Sequence, residues 1–175
     1  MESRRVRRTC GALGLLVVLV TACRLEHAPP TARQARAGPP GDTTVVLTEL
    51  RAYYRDLSDR DWTAFSEHFW PDATITTVWR PEADDSGRVW TTSVPGFVAA
   101  APDGPGSRAI FEESMRGSRI TVSGELAQAW VAYRVRFGDP GAVAEWEGVD
   151  AFTLMQHQGR WRIVSLAFGR ADGGS

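Results

Sequence analysis

The chain contains no lysine: all 20 of its basic residues are arginine. That absence excludes Schiff-base chemistry, a lysine general base and a Walker-type phosphate loop. Cysteine is nearly absent as well. Cys10 and Cys23 both fall at the start of the chain, so the remainder has no disulfide, no thiol nucleophile and no cysteine metal ligand. Of the three histidines, His27, His68 and His157, none is paired at metal-ligand spacing. No metal site and no cofactor is therefore expected. Neither sign of charge is in excess, since 21 acidic side chains leave a formal net charge of -1. The charges are interspersed along the chain, and without a clustered basic face nucleic acid is not an expected partner.

What is present is a globular composition. The 175 residues are 43% hydrophobic and include seven tryptophans. Behind a removable start, this suits one domain of about 130 residues with a single core. The start itself carries Arg4, Arg5, Arg7 and Arg8, then an apolar run from Gly11 to Val20, then Thr21-Ala22-Cys23. A basic segment, a short apolar segment and small residues before a cleavage point make a secretory signal, expected over residues 1–22. The apolar run is too short to cross about 30 Å of hydrocarbon as a mature helix. Leu19-Val20-Thr21-Ala22-Cys23 resembles the bacterial lipoprotein signal. The resemblance implies cleavage before Cys23, lipid on Cys23, and an exported chain anchored to a membrane of the cell envelope. Arg24, rather than an aspartate, follows Cys23; by the same resemblance, that favours an outer membrane where the cell has one. Residues 23–42 are rich in proline and lack apolar periodicity, as expected of a tether.

From Thr43 the pattern changes. Val46, Leu50, Tyr53 and Leu57 form one apolar stripe at helical spacing, with Asp42 or Thr43 as cap. Asp61 caps a second, short helix predicted over Trp62 to Phe69 and stopped by Pro71. Ala73 to Trp79 reads as a strand, Pro81 to Gly87 as an acidic turn, Arg88 to Ser93 as a strand partner and Pro95 to Ala101 as a short helix. Ala109 to Val122 is a long strand bent at Gly117. Three further strands follow between Leu126 and Phe168, joined by turns at Gly138-Asp139-Pro140-Gly141 and Gln158-Gly159. The fold class is α+β: a curved antiparallel sheet with helices packed on its concave face. The domain is expected over 43–170, with a short tail over 171–175.

Several pieces in this order resemble the nuclear transport factor 2-like (SnoaL-like) superfamily. They are Tyr53-Tyr54, Asp61-Trp62 and Phe69-Trp70-Pro71-Asp72-Ala73 in the first half. In the second half they are Ala129-Trp130, Tyr133, Gly148-Val149-Asp150-Ala151-Phe152 and Gly159-Arg160-Trp161-Arg162-Ile163. The resemblance covers nearly all of 43–169. It implies a cone-shaped fold enclosing a pocket between helices and sheet, and pairing of two copies through the outer sheet face, where Arg134 and Arg136 are expected. It does not by itself imply an activity.

Within that superfamily, Tyr53 to Thr77 and Val149 to Gly169 resemble ketosteroid isomerases. The resemblance sets Tyr53 and Asp150 on that family's oxyanion-hole tyrosine and aspartic acid, the latter kept neutral by an apolar site. Asp150 lies between Trp146 and Phe152 on one strand face, so a raised pKa is physically reasonable. The departure is Thr77, which stands where that family has its general base; a threonine hydroxyl cannot take that role near neutral pH. Three readings follow, the third being an interaction module that binds a partner or a second copy through the outer sheet face. In the first, the pocket binds a small, partly apolar molecule, with Trp70, Thr77, Trp79, Tyr133, Trp146 and Phe152 as contacts and Trp90 near the mouth. In the second, the chain is an acid–base enzyme, an isomerase, dehydratase or hydrolase. It would use Asp150 and Tyr53 with a base drawn from His68, Asp72, Glu112, Glu113 or Glu147. Glu147 faces away from Asp150 on a regular strand, and only one of the adjacent Glu112 and Glu113 can face the pocket.

Overall fold

The computed structural model describes residues 42–79 and 87–171. The expected signal, Cys23, nearly all of the tether, Pro81 to Ser86 of the acidic turn and the tail beyond Ala171 lie outside those residues. Helix α1 spans Thr43–Asp59, with the Asp42 carboxylate accepting from the Thr44 amide at 2.8 Å. The helix ends on Arg60, which adopts a left-handed φ of 57°. The predicted stripe is its buried face: Val46, Leu50, Tyr53 and Leu57 are at most 3% exposed. Tyr54 is equally buried, because it lies one turn beyond Leu50 and one turn before Leu57 on the same broad face.

Helix α2, Trp62–Glu67, is capped by Asp61, whose carboxylate accepts from the Ala64 amide at 3.0 Å. It is shorter than expected. Strand β1, Phe69–Trp79, already contains Pro71, so the proline lies inside an irregular strand and does not stop the helix. The register slips between Phe69 and Thr74, which fits a residue that cannot donate to the ladder. Strand β2 is Arg88–Ser93, followed by α3, Val94–Ala100, capped by Ser93. A 3-10 turn, Ala101–Asp103, leads to the long strands β3, Ile110–Ser123, β4, Leu126–Asp139, β5, Ala142–His157, and β6, Arg160–Arg170.

The six strands form one sheet in the order β2-β1-β6-β5-β4-β3. The meander expected from β3 to β6 is antiparallel throughout. The sheet as a whole is mixed, because β1 pairs with β6 in parallel. The predicted bend at Gly117 is a bulge, with the register slipping between Met115 and Gly117; a bulge of this kind bends and twists the strand locally. Helix α1 crosses the sheet at β3, where the Ser58 hydroxyl donates to the Glu113 carbonyl and accepts from the Glu113 amide, both at 2.9 Å. The inner sheet face supplies Ile75, Ala129, Val131, Phe152, Leu154, Ile163 and Leu166 to the core under α1. The outer face carries an ion-pair ladder, Glu112–Arg136–Glu145–Arg134, and Trp130, which is 53% exposed. Among the described residues no helix is long and apolar enough to cross a membrane.

Candidate functional site

Strand alternation and ladder register decide what reaches the space between helices and sheet. Val131 on β4, Asp150 on β5 and Phe168 on β6 form one cross-strand row, and Thr77 on β1 pairs with Phe168 beyond it. A neighbouring row brings Glu113 of β3 beside Val135 and Trp146. Asp150, Phe168, Thr77, Glu113, Val135 and Trp146 from these rows, together with Tyr53, Leu57 and Phe65 from the helices and Phe97 from α3, line a cavity of about 1050 Å³. Its other lining residues include Tyr133, Trp90 and Phe111, and Arg88, Arg108 and Arg170 carry its positive charge.

Asp150 is 2% exposed. Its carboxylate accepts a short hydrogen bond from the Tyr54 hydroxyl. Burial pushes the Asp150 pKa up to about 7, against the pull of the Tyr54 hydrogen bond. Glu113 shares the cavity, and burial, with the charge of Asp150 added, lifts its carboxyl well above the usual range. The two carboxyls thus titrate as a pair that resists holding two charges. Tyr54, Tyr53 and Tyr133 are all held protonated, first by burial and then by the charge of Asp150. Near neutral pH the floor of the cavity is therefore a set of hydroxyl and carboxyl donors with little net charge.

The donor paired with Asp150 is Tyr54, not the expected Tyr53. Tyr53 lines the cavity, and its ring packs edge-on against Tyr54 at 5.1 Å and Phe152 at 5.3 Å. A second stripe, Val46, Leu50, Tyr54 and Leu57, was open to the same periodicity and would have pointed to Tyr54. Thr77 lines the cavity as expected, and its hydroxyl donates to the Phe168 carbonyl at 2.9 Å. Tyr133 crosses β5 directly over Gly148 and donates to the Gly169 carbonyl at 3.2 Å. A Cβ on Gly148 would stand 2.2 Å from the Tyr133 ring, so the bare backbone at Gly148 is what admits that ring.

The remaining candidates are dispersed. His68 is buried but turned to α1, with Nδ1 2.7 Å from Glu49 and Nε2 2.9 Å from Asp56. It does not line the cavity. Phe152 is core beneath Tyr53 and Tyr54 rather than lining. Trp70 packs outside the cavity, 5.8 Å from His157 and 5.7 Å from the Arg162 guanidinium; Trp90 lines it instead. The backbone of Trp79 closes β1, and its side chain lies outside the described residues. Trp146 lines the cavity under Arg170, whose guanidinium carbon is 4.6 Å from the ring centre. Of the base candidates, only Glu113 reaches the cavity. Glu112 faces out to Arg136 at 2.7 Å, Asp72 is exposed, and Glu147 is exposed on the face opposite Asp150. Among the described residues no group of three His, Cys, Asp or Glu side chains is arranged to hold a metal ion.

The same architecture occurs widely. A Mycobacterium tuberculosis protein of unknown function superposes with a TM-score of 0.60 at 16% identity, over 73% of this chain and 70% of that one. A nuclear transport factor 2-like protein with a cystatin-like fold from Novosphingobium aromaticivorans gives 0.59 at 17% identity, over 77% and 84%. A nuclear transport factor 2-like superfamily protein from Salmonella enterica gives 0.58 at 14% identity, over 75% and 95%. At such identities the likeness speaks for the fold. No curated protein matches the sequence. A family model described as "Putative lumazine-binding" matches residues 41–169, which is nearly the whole described domain. The domain is therefore of the nuclear transport factor 2-like fold, and the chain belongs to that lumazine-binding-like family.

Proposed function

We propose that this chain is an exported, lipid-anchored domain that binds a small, flat, partly apolar molecule in its cavity. The observation that carries the reading is the cavity itself. It is about 1050 Å³, its walls are mostly apolar and aromatic, and Glu113, Tyr133 and Asp150 converge on one region of it. A few placed polar groups in an apolar cleft are the usual composition of a small-molecule site. The family description names lumazine, a fused heteroaromatic ring with carbonyl oxygens. Protonated Asp150 and the tyrosine hydroxyls offer donors of the kind such carbonyls accept. The experiment is a thermal unfolding series with lumazine and other fused-ring heterocycles. A ligand at about 100 times its Kd stabilises the folded state by about 2.7 kcal/mol. If no compound in a broad set raises the Tm, the reading fails.

The acid–base alternative has one observation in its favour, the presence of two carboxyls with raised pKa values, Asp150 and Glu113, in one cavity. Glu113 then takes the base role that Thr77 cannot fill, with Asp150 and Tyr54 polarising the substrate. Proton NMR of the same ligand incubations separates the readings: a bound compound recovered unchanged after long incubation excludes turnover of that compound.

Lipid attachment rests on the sequence around Cys23. In a bacterial host, the full chain is expected to take up labelled fatty acid and to fractionate with membranes. Cys23→Ser is expected to abolish both; a labelled Cys23→Ser chain would refute the assignment.

A further inference from the structure

The cavity has chemically different ends. Around Asp150, Tyr54, Glu113 and Tyr133 the groups are buried and largely uncharged near neutral pH. Arg170, whose charge acts on the neighbouring Tyr133, differs from them. It is the last residue of β6 and lies two positions beyond Phe168, so it shares the inward face, yet it is exposed to solvent. Its guanidinium lies 4.6 Å from the ring centre of Trp146, and both residues line the cavity.

Its surroundings explain why Arg170 remains available. Among the described residues no carboxylate lies within ion-pair distance of it. Arg108, also on the cavity wall, contacts Asp139 at 3.3 Å and is partly offset by it. Asp103 is the wall's other carboxylate besides Glu113 and Asp150. A guanidinium stacked on an indole has one face covered and its N–H edge directed outward. That arrangement fixes a long, otherwise mobile side chain and leaves a planar fork suited to a carboxylate or phosphate.

We propose that the ligand of this cavity is an organic anion. Its ring-bearing or otherwise apolar body fills the aromatic interior, a neutral acceptor meets Asp150, and its carboxylate, sulfonate or phosphate rests on Arg170. This rests on the binding reading above and adds the charge of the ligand to it. The carboxyl pair opposes such an anion least on the acid side of neutrality, where Asp150 is protonated.

The test uses the full chain and two fluorescent probes with the same aromatic body. Anilinonaphthalene sulfonate carries the anion; phenylnaphthylamine lacks it. The sulfonate is expected to bind about tenfold tighter, the scale of one hydrogen bond to a charged group. Arg170→Gln is expected to remove that advantage, so that the two probes bind with equal affinity, and an unchanged Tm of the unliganded variant certifies its fold. The probes are expected to displace one another. Equal affinities that Arg170→Gln does not alter, or a failure of mutual displacement, would overturn the proposal while leaving cavity binding intact. If neither probe binds, cavity binding itself fails and the anion proposal with it.

Discussion

Asp150→Asn is expected to stabilise the domain by about 3 kcal/mol at pH 8 and to change it little at pH 4, measured by urea unfolding at both values. The carboxyl of Asp150 has a pKa raised from 3.8 to about 7 in the folded state. A raised acid binds more protons folded than unfolded, so stability is lost as pH rises from about 4 to about 7. At pH 4 the folded carboxyl is protonated and the unfolded one is close to its own pKa, so the penalty is small. Above pH 7 the folded chain carries a buried charge that the unfolded chain would expose to water at no cost. Asparagine keeps an oxygen for the Tyr54 hydroxyl and removes that charge. It also relieves Glu113, whose carboxyl the charge of Asp150 helps to raise. A residue that lowers stability where its own amide would raise it belongs to a site and not to a scaffold. If Asn destabilises equally at pH 4 and pH 8, then Asp150 is a structural acceptor and the site assignment loses its main support.

His68→Gln is expected to cost about 3 kcal/mol near pH 5.5 and clearly less near pH 9, the cost of removing one partner from a buried ion pair. Both ring nitrogens of His68 face carboxylates, Glu49 at 2.7 Å and Asp56 at 2.9 Å, which requires the doubly protonated ring. Burial opposes that charge, but the hydrogen bonds the ring donates to Glu49 and Asp56 outweigh it and the His68 pKa is raised. Its contribution is therefore fully present below the unfolded value of 6.5 and is lost as pH rises through the folded value. Asp56 behaves oppositely. Burial raises its pKa, the bonds from Arg55 and His68 lower it further, and the net shift is downward. Its contribution is present above 3.8 and is lost as pH falls through the folded value. Together with the Asp150 effect, the domain is expected to be most stable on the mildly acidic side of neutrality. An equal loss for His68→Gln at both pH values would mean that the ring is a neutral packing element.

These two residues also show what a sequence can and cannot disclose here. Asp150 was legible because strand alternation put a carboxylate between Trp146 and Phe152, on a face that has to be buried. The α1 stripe was legible for the same reason of periodicity. The choice between Tyr53 and Tyr54 was not, because both adjacent residues fall within the wide buried face of a helix lying on a concave sheet. Glu113 could be narrowed only to one of a pair, since the register that turns it inward depends on the bulge between Met115 and Gly117. His68 looked like a catalytic candidate because its partners, Glu49 and Asp56, sit two turns apart on α1 and lie far from it along the chain. Trp90 lines the cavity, as its expected place near the mouth implied, whereas Trp70 does not; β1 slips register between Phe69 and Thr74, a break that alternation alone does not show.

The parallel pairing of β1 with β6 has a consequence for the order of folding. The ladder joins Thr74 to Ser165 and Thr77 to Phe168, so the first strand of the sheet finds one of its two neighbours only in the last strand of the chain. The β1–β2 hairpin and the β3–β5 meander can each form from local contacts. Neither can be joined to the other until β6 has been made. Closing so long a loop before any contact stabilises it slows folding. The strand that completes the sheet, β6, is the last of the six along the chain. A chain ending before Arg160 would lack that strand, and with it the row that sets Asp150 beside Phe168.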